Sequence, residues 1–198
     1  NLLYERQRQQ YQVARQNVQI INRKCHELKV QIADLRRLQP DEAATQSLDE
    51  AEQAARMYDA NAATGNEVLD VVLTEKSLLC EAQRIRLNCV ADGTCLAAIE
   101  PGDLYALFSN LLDQAIDAAA QQQNDRRMID LLVCRRQGFA VINVIGPALS
   151  GSQPDHGRRH SYELKVARRV VQKYSGAMAT EPRGELFAVK IVLPLTRG

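Results

Sequence analysis

The sequence predicts an α+β protein: an N-terminal long-helix hairpin, completed to a four-helix bundle in a dimer, followed by an α/β two-layer sandwich. Three observations predict it. Tyr4, Gln7, Tyr11, Ala14, Val18, Ile21, Cys25, Leu28, Ile32 and Leu35 alternate steps of three and four, a heptad seam interrupted only by Gln7. Ala44, Leu48, Ala51, Ala55, Tyr58 and Ala62 resume heptad spacing after a break at Pro40. Beyond Gly65, helical and period-two apolar patterns alternate in short segments.

The first helix runs to about Leu38, with a surface of Gln, Arg and Lys that suits a bundle exterior. Pro40 ends it, because the residue before a proline is pushed out of the α region. Asp41 and Glu42 then favour a new helix N-terminus, and the second helix extends to about Ala62. Its alanine seam buries little apolar area. A second copy of the hairpin supplies the missing half of the core, so a homodimer through residues 1–62 is expected.

Thr64-Gly65-Asn66 marks the boundary to a second domain, residues 63–198. A helix from Asn66 to about Arg84 turns Val68, Leu69, Val72, Leu73, Leu78 and Leu79 inward, and Ile85–Val90 alternates as a strand. Asp92-Gly93 is a turn. Pro101–Gln121 is a strong helix whose Leu104, Leu107, Phe108, Leu111, Leu112, Ala115, Ile116 and Ala119 share one face. Met128–Arg135 and Gly138–Val144 form a hairpin around Arg136-Gln137-Gly138. A Gly, Ser and Pro-rich loop at Gly146–Gly157 precedes a helix from about Tyr162 to Tyr174. Strands near Ala177–Thr180 and Leu186–Leu193 close the chain. Helices on one side of a mostly antiparallel sheet make the sandwich.

Composition narrows the function classes. Of 198 residues, 45% are hydrophobic and 25% charged, as in a soluble domain with a real core. A net charge of +1 gives no electrostatic case for nucleic acid or an anionic membrane, so no nucleic-acid partner is expected. No run of about 18 apolar residues spans a bilayer, and no signal-peptide pattern is visible. The five cysteines (Cys25, Cys80, Cys89, Cys95, Cys134) lack CxxC spacing and are odd in number, which fits idle thiols in a reducing, cytoplasmic compartment. His156 and His160 have no second metal-type ligand at useful spacing, so no zinc site is expected. The chain opens at Asn1 inside a helical pattern and without Met, as a piece of a longer protein would.

With Cys25 at a heptad a position and Leu28 at d, His26 falls at b, beside the seam and facing water. A solvent-facing imidazole on a rigid helix suits a phosphoryl acceptor. Position alone also fits a plain polar residue on a wet face.

Four segments then carry a resemblance. Asp103-Leu-Tyr-Ala-Leu-Phe-Ser-Asn110-Leu-Leu-Asp113-Gln114-Ala-Ile-Asp117-Ala-Ala resembles the N-box helix of GHKL ATP-binding domains. It is most similar to bacterial sensor histidine kinases of the quorum-sensing type, where the run is Asn-Leu-Leu-Asp-Asn-Ala-Ile-Glu-Ala. Gly65-Asn-Glu-Val-Leu-Asp-Val-Val-Leu-Thr-Glu-Lys-Ser resembles the helix that opens that domain. His160-Ser-Tyr-Glu-Leu-Lys-Val-Ala-Arg-Arg resembles the glycine box and the helix after it, and Cys25-His26-Glu27-Leu28-Lys29 the phosphoacceptor box.

The resemblance implies a histidine-phosphotransfer hairpin followed by a catalytic domain that moves the γ-phosphoryl of Mg-ATP to His26. Glu27 would hydrogen-bond the imidazole and raise its basicity. Asn110, Asp113, Gln114, Asp117, Asn143 and Lys165 would bind ATP, with Asn110 and Gln114 holding Mg²⁺. The implied partners are a response regulator, a second copy of the chain, and a sensor region upstream in a membrane-anchored protein. The alternative is a pseudokinase or phosphotransfer scaffold of the same fold that binds ATP weakly or not at all.

Three departures favour that alternative. Gln114 replaces the metal-binding asparagine with a side chain one methylene longer, and Mg²⁺ demands near-ideal octahedral geometry at about 2.1 Å. Ser161 and Glu163 replace the two glycines that let backbone approach the triphosphate. Glu163 also sets a like charge beside phosphates. The Asp-x-Gly-x-Gly run that many GHKL proteins use to read adenine is missing as well.

Overall fold

The computed structural model describes residues 2–38, 46–52, 63–148 and 154–195, except the side chains of Leu3, Tyr4 and residues 154–161. Helix α1 (Leu2–Leu38) opens the chain. Residues 46–52 are helical, and Arg36 in the last turn of α1 pairs with Asp49 and, at 2.8 Å, with Glu52. The remainder of the predicted second helix lies outside the described residues. None of the described helices is long and apolar enough to cross a membrane.

The second half is α2 (Glu67–Ala82), β1 (Arg86–Ala91), α3 (Pro101–Ala120), β2 (Met128–Arg136), β3 (Phe139–Pro147), α4 (Pro154–Lys173), β4 (Ala177–Arg183) and β5 (Leu186–Pro194). The strands lie in the order β1-β2-β3-β5-β4, with β1 parallel to β2 and every other pair antiparallel. Ile129, Leu131 and Val133 of β2 and Ala140, Ile142 and Val144 of β3 turn toward the helices, while their alternates face outward, as the period of two requires. Among the described residues, the helices cover one face. This is the α+β sandwich expected from the sequence.

Local chemistry explains the boundaries. Asn66 caps α2, its carboxamide oxygen accepting from the Val68 and Leu69 amides at 3.1 and 3.2 Å. Pro101 sits in the first turn of α3, where its missing N–H costs nothing. Gln137 and Gly138 both have positive φ, 47° and 84°, the left-handed pair that a two-residue hairpin loop needs. Gly176 is required by space: a Cβ there would fall 2.7 Å from the Val192 carbonyl and 2.5 Å from a Leu193 methyl. Asp103, buried in the first turn of α3, accepts from Lys173 at 2.6 Å and from the Tyr174 hydroxyl at 2.7 Å, clamping the end of α4 to the start of α3.

The structure departs from the expected elements in three places. Helix α4 begins at Pro154, eight residues before Tyr162, because proline suits a first helical turn even in a stretch whose Gly and Ser suggest loop. In α2 the inward stripe ends on Cys80, not Leu79: Cys80 is 1% exposed and Leu79 38%. Steps from Leu69 through Val72, Leu73 and Lys76 to Cys80 keep one face, and Leu79 falls beside it. The heptad seam of α1 also divides. Tyr11, Ala14 and Val18 join the core formed by α2, α3 and the sheet. Further on, Cys25 and Ile32 are buried, whereas Leu28 and Leu35 are half exposed.

Candidate functional site

Where α1 crosses the helical layer, a cavity of about 930 Å³ opens between α1, α2, α3 and α4. Gln10, Val13, Asn17 and Ile21 of α1 form one wall, and Asn110 and Asp113 of α3 the opposite one. The Tyr11 and Tyr105 rings meet at 5.8 Å between centroids and fix this crossing from the apolar side.

A continuous polar chain lines the floor. The Tyr105 hydroxyl donates to Glu75 Oε2 at 3.0 Å, and Lys76 Nζ lies 3.2 Å from Glu75 Oε1 and 2.8 Å from Asp113 Oδ1. Ser109 Oγ donates to Asp113 Oδ2 at 3.4 Å. Lys76 is only 4% exposed. Burial pulls its pKa down, but the Asp113 and Glu75 carboxylates more than offset this and leave it raised, so the ammonium stays charged. Burial, then the Glu75 charge, pushes the Tyr105 hydroxyl well above the usual phenol range. Among the described residues, the charged ones around the cavity are Glu75, Asp113 and Glu163 against Arg6 and Lys76.

Residues 99–194, spanning α3, α4 and β2 to β5, match the family model described as the GHKL domain. They are a GHKL domain. The catalytic domain of histidine kinase ThkA has the same fold in its nucleotide-free form, with TM-score 0.51, 15% identity, and 67% of this chain covering 92% of that one. Histidine kinase AdeS of Acinetobacter baumannii matches with TM-score 0.48 and 12% identity, over 80% of this chain and 87% of that one. The histidine kinase domain of the blue-light activated kinase from Erythrobacter litoralis matches with TM-score 0.43 and 14% identity, over 91% and 95%. No curated protein matches the sequence.

The GHKL domain brings together some of the residues expected at a nucleotide site and separates others. Asn110 and Asp113 line the cavity. Asn110 Nδ2 donates to the Ala106 carbonyl at 2.6 Å, one turn back in its own helix. Asp113 is engaged by Lys76. Gln114 is 3% exposed and lies outside the cavity lining, although it follows Asn110 by four residues and so shares roughly its side of the helix. Asp117, half-buried one turn further on, also lies outside it.

Asn143 is on the wrong side of the sheet for a nucleotide contact in this cavity. Its neighbours Ile142 and Val144 face the helices, so Asn143 faces out, opposite Leu132 and Lys190, with its buried Oδ1 unpartnered among the described residues. Lys165 is exposed on α4, beyond the lining. Glu163 is buried and lines the cavity, whereas the Ser161 side chain lies outside the described residues.

His26 is exposed on α1, five residues past Ile21, or about 7.5 Å along the helix axis from the cavity wall. Glu27 is exposed as well. Its carboxylate accepts from Lys24 at 2.8 Å, and that bond lowers its pKa, so it is an anion engaged with lysine where a bond to the imidazole was expected.

The donors present do not fit Mg²⁺. Of the two expected ligands, Gln114 is buried outside the cavity lining, and the neighbouring carboxylate of Asp113 already binds an ammonium ion. Two unit charges about 4 Å apart repel by about 4 kcal/mol at a partly shielded site, and a divalent ion doubles that. ATP fits better, since the cavity is of small-molecule size and has a fixed cation at its floor.

Sequence reasoning missed Lys76, Glu75 and Tyr105. A signal was present: Lys76 interrupts the apolar stripe of α2, and a lysine in that place is almost never buried without a partner. The wall supplied by α1 left no such trace.

Proposed function

We propose that this chain is the cytoplasmic dimerisation and catalytic core of a two-component sensor histidine kinase, which phosphorylates itself on His26 and passes the group to an aspartate of a response regulator. The observation that carries this is the placement of an exposed His26 on the same helix that walls the cavity holding Asn110. The GHKL match supports a kinase-type function.

ATP, when bound, supplies the γ-phosphoryl group. The chain's own residues do the rest. The Lys76 ammonium offers a fixed positive charge to phosphate oxygens. Gln10, Val13, Asn17 and Ile21 close the cavity on the side of α1. A ring nitrogen of His26 would form the new N–P bond as the bond from the γ-phosphorus to the β,γ-bridging oxygen breaks and ADP leaves, and Glu27, freed from Lys24, would orient the other nitrogen. Phosphohistidine then meets the regulator's carboxylate from the open side of α1. The half-exposed Leu28 and Leu35 give a second copy of the hairpin an apolar seam to cover.

Labelled γ-phosphate ATP should leave acid-labile label on the protein, and His26→Gln should remove it. Label persisting in His26→Gln would refute the assignment.

A second reading keeps His26 as a phosphoryl carrier and drops ATP. The buried Glu163, which lines the same cavity as Asp113 and Glu75, favours it, since it adds a further carboxylate where a triphosphate would sit. It predicts label from a phosphorylated regulator and none from ATP.

A further inference from the structure

Three features stand out beyond the reading above: the outward sheet face around Val90, Leu132 and Val192, the Asp103–Lys173–Tyr174 clamp, and the two carboxylates that hold Lys76. Nothing in the structure says what would cover the first, and the second ties two helices together. The third carries an inference.

Lys76 reaches from α2 under the wall of α3 and is held between two carboxylates, 2.8 Å from Asp113 Oδ1 and 3.2 Å from Glu75 Oε1. It is 4% exposed, yet it borders the cavity together with Asn110. Both carboxylates are fixed from their far sides, Asp113 by Ser109 and Glu75 by Tyr105. The ammonium is therefore the centre of a satisfied polar network and not a surface charge folded inward. A divalent ion seeking Asn110 and Asp113 would have to displace it, and Gln114 is not there to complete the coordination.

We propose that Lys76 is the resident cation of this cavity: its ammonium, held between Asp113 and Glu75, takes the place a divalent metal would occupy, so that a nucleotide binding here meets an ammonium and not a metal ion. This rests on the cavity's being a nucleotide site, as proposed above. The interaction is a charge-assisted hydrogen bond from Nζ to a phosphate oxygen, and no covalent bond changes. The contact forms if the ammonium turns one of its three N–H groups from Glu75 toward the ligand while keeping Asp113.

The test has a metal arm and a nucleotide arm. Mn²⁺ is titrated into the intact chain and followed by its electron paramagnetic resonance signal. The wild type should show no saturable binding up to about millimolar metal, and Lys76→Met should gain a site. Wild-type binding that Asp113→Asn abolishes would overturn the proposal, as would a folded Lys76→Met that gains nothing. If Lys76→Met does not fold, Lys76→Arg serves: it keeps the charge and should still exclude Mn²⁺, and binding by it would count against the idea.

In the second arm, a fluorescent ATP analogue is titrated in Mg²⁺ and in EDTA. Affinities within about threefold of each other support lysine as the cation; a loss of tenfold or more in EDTA overturns it. Absence of binding in both buffers overturns the nucleotide half together with the reading it rests on. The Mn²⁺ arm, which contains no nucleotide, then decides metal exclusion by itself.

Discussion

The two halves of α1 obey one heptad pattern and bury it against different things. From Tyr11 to Val18 the seam lies on α2 and α3, with Tyr11 against Tyr105 and Arg15 2.6 Å from Glu67. From Cys25 to Leu35 the a positions are buried but the d positions Leu28 and Leu35 remain 48% and 50% exposed. The first half is thus part of a folded unit and one wall of its cavity, whereas the second half displays His26 and waits for a further apolar surface. A periodic seam states that something will cover it and not what.

The largest effect separates the halves by chemistry. His26→Gln should abolish labelling from ATP yet change unfolding free energy by no more than about 0.5 kcal/mol, because the ring is exposed. Next comes packing. Tyr11→Ala removes a ring that is 8% exposed and should cost about 3 kcal/mol in urea unfolding. Leu28→Ala should cost under about 1 kcal/mol in the single chain, and its effect should instead appear as a rise in the dimer dissociation constant measured by light scattering. Equal costs for Tyr11 and Leu28 would erase the contrast between the halves.

What the sequence disclosed follows from the same physics. Helix α3 was legible because eight apolar residues repeat over twenty positions, and all eight are buried. The Gln137-Gly138 loop and the Asn66 cap were legible because their chemistry is local. Asn143 was misplaced although strand alternation fixes its side: once Ile142 and Val144 face helices, Asn143 cannot. The N-terminus of α4 was hidden by Gly and Ser, which count as loop signals when taken without the proline ahead of them. The Lys76 network was hidden for a different cause. It joins residues on two helices, and only tertiary packing puts Asp113 beside Lys76.

Alkaline pH probes the same border between the halves. Tyr105 and Lys76 both have raised pKa values, Tyr105 by burial and then Glu75, Lys76 because Asp113 and Glu75 outweigh its burial. In the folded state these groups keep protons that the unfolded chain releases from its ordinary values of 10.0 and 10.5. Their contribution is therefore intact below about pH 10 and is lost as pH rises through the higher folded values. The urea midpoint should stay level from pH 7 to 9 and fall by pH 11, with amide exchange quickening in residues 11–18 before residues 25–35. A midpoint that rises above pH 10 would reverse the sign.

The smallest effect tests whether charge or packing fastens the first half. Arg15 and Glu67 are 2.6 Å apart, but their side chains are 45% and 64% exposed, so water and salt screen most of the attraction. Arg15→Ala should cost about 0.5 kcal/mol at low ionic strength and nothing measurable in about 1 M salt. Glu67→Gln should cost about the same, and the double variant no more than either alone, which a double-mutant cycle resolves. A coupling of about 2 kcal/mol that survives salt would mean that α1 is held to α2 by charge. Tyr11 and Val18 would then be passengers, and the Tyr11→Ala loss predicted above should shrink to match.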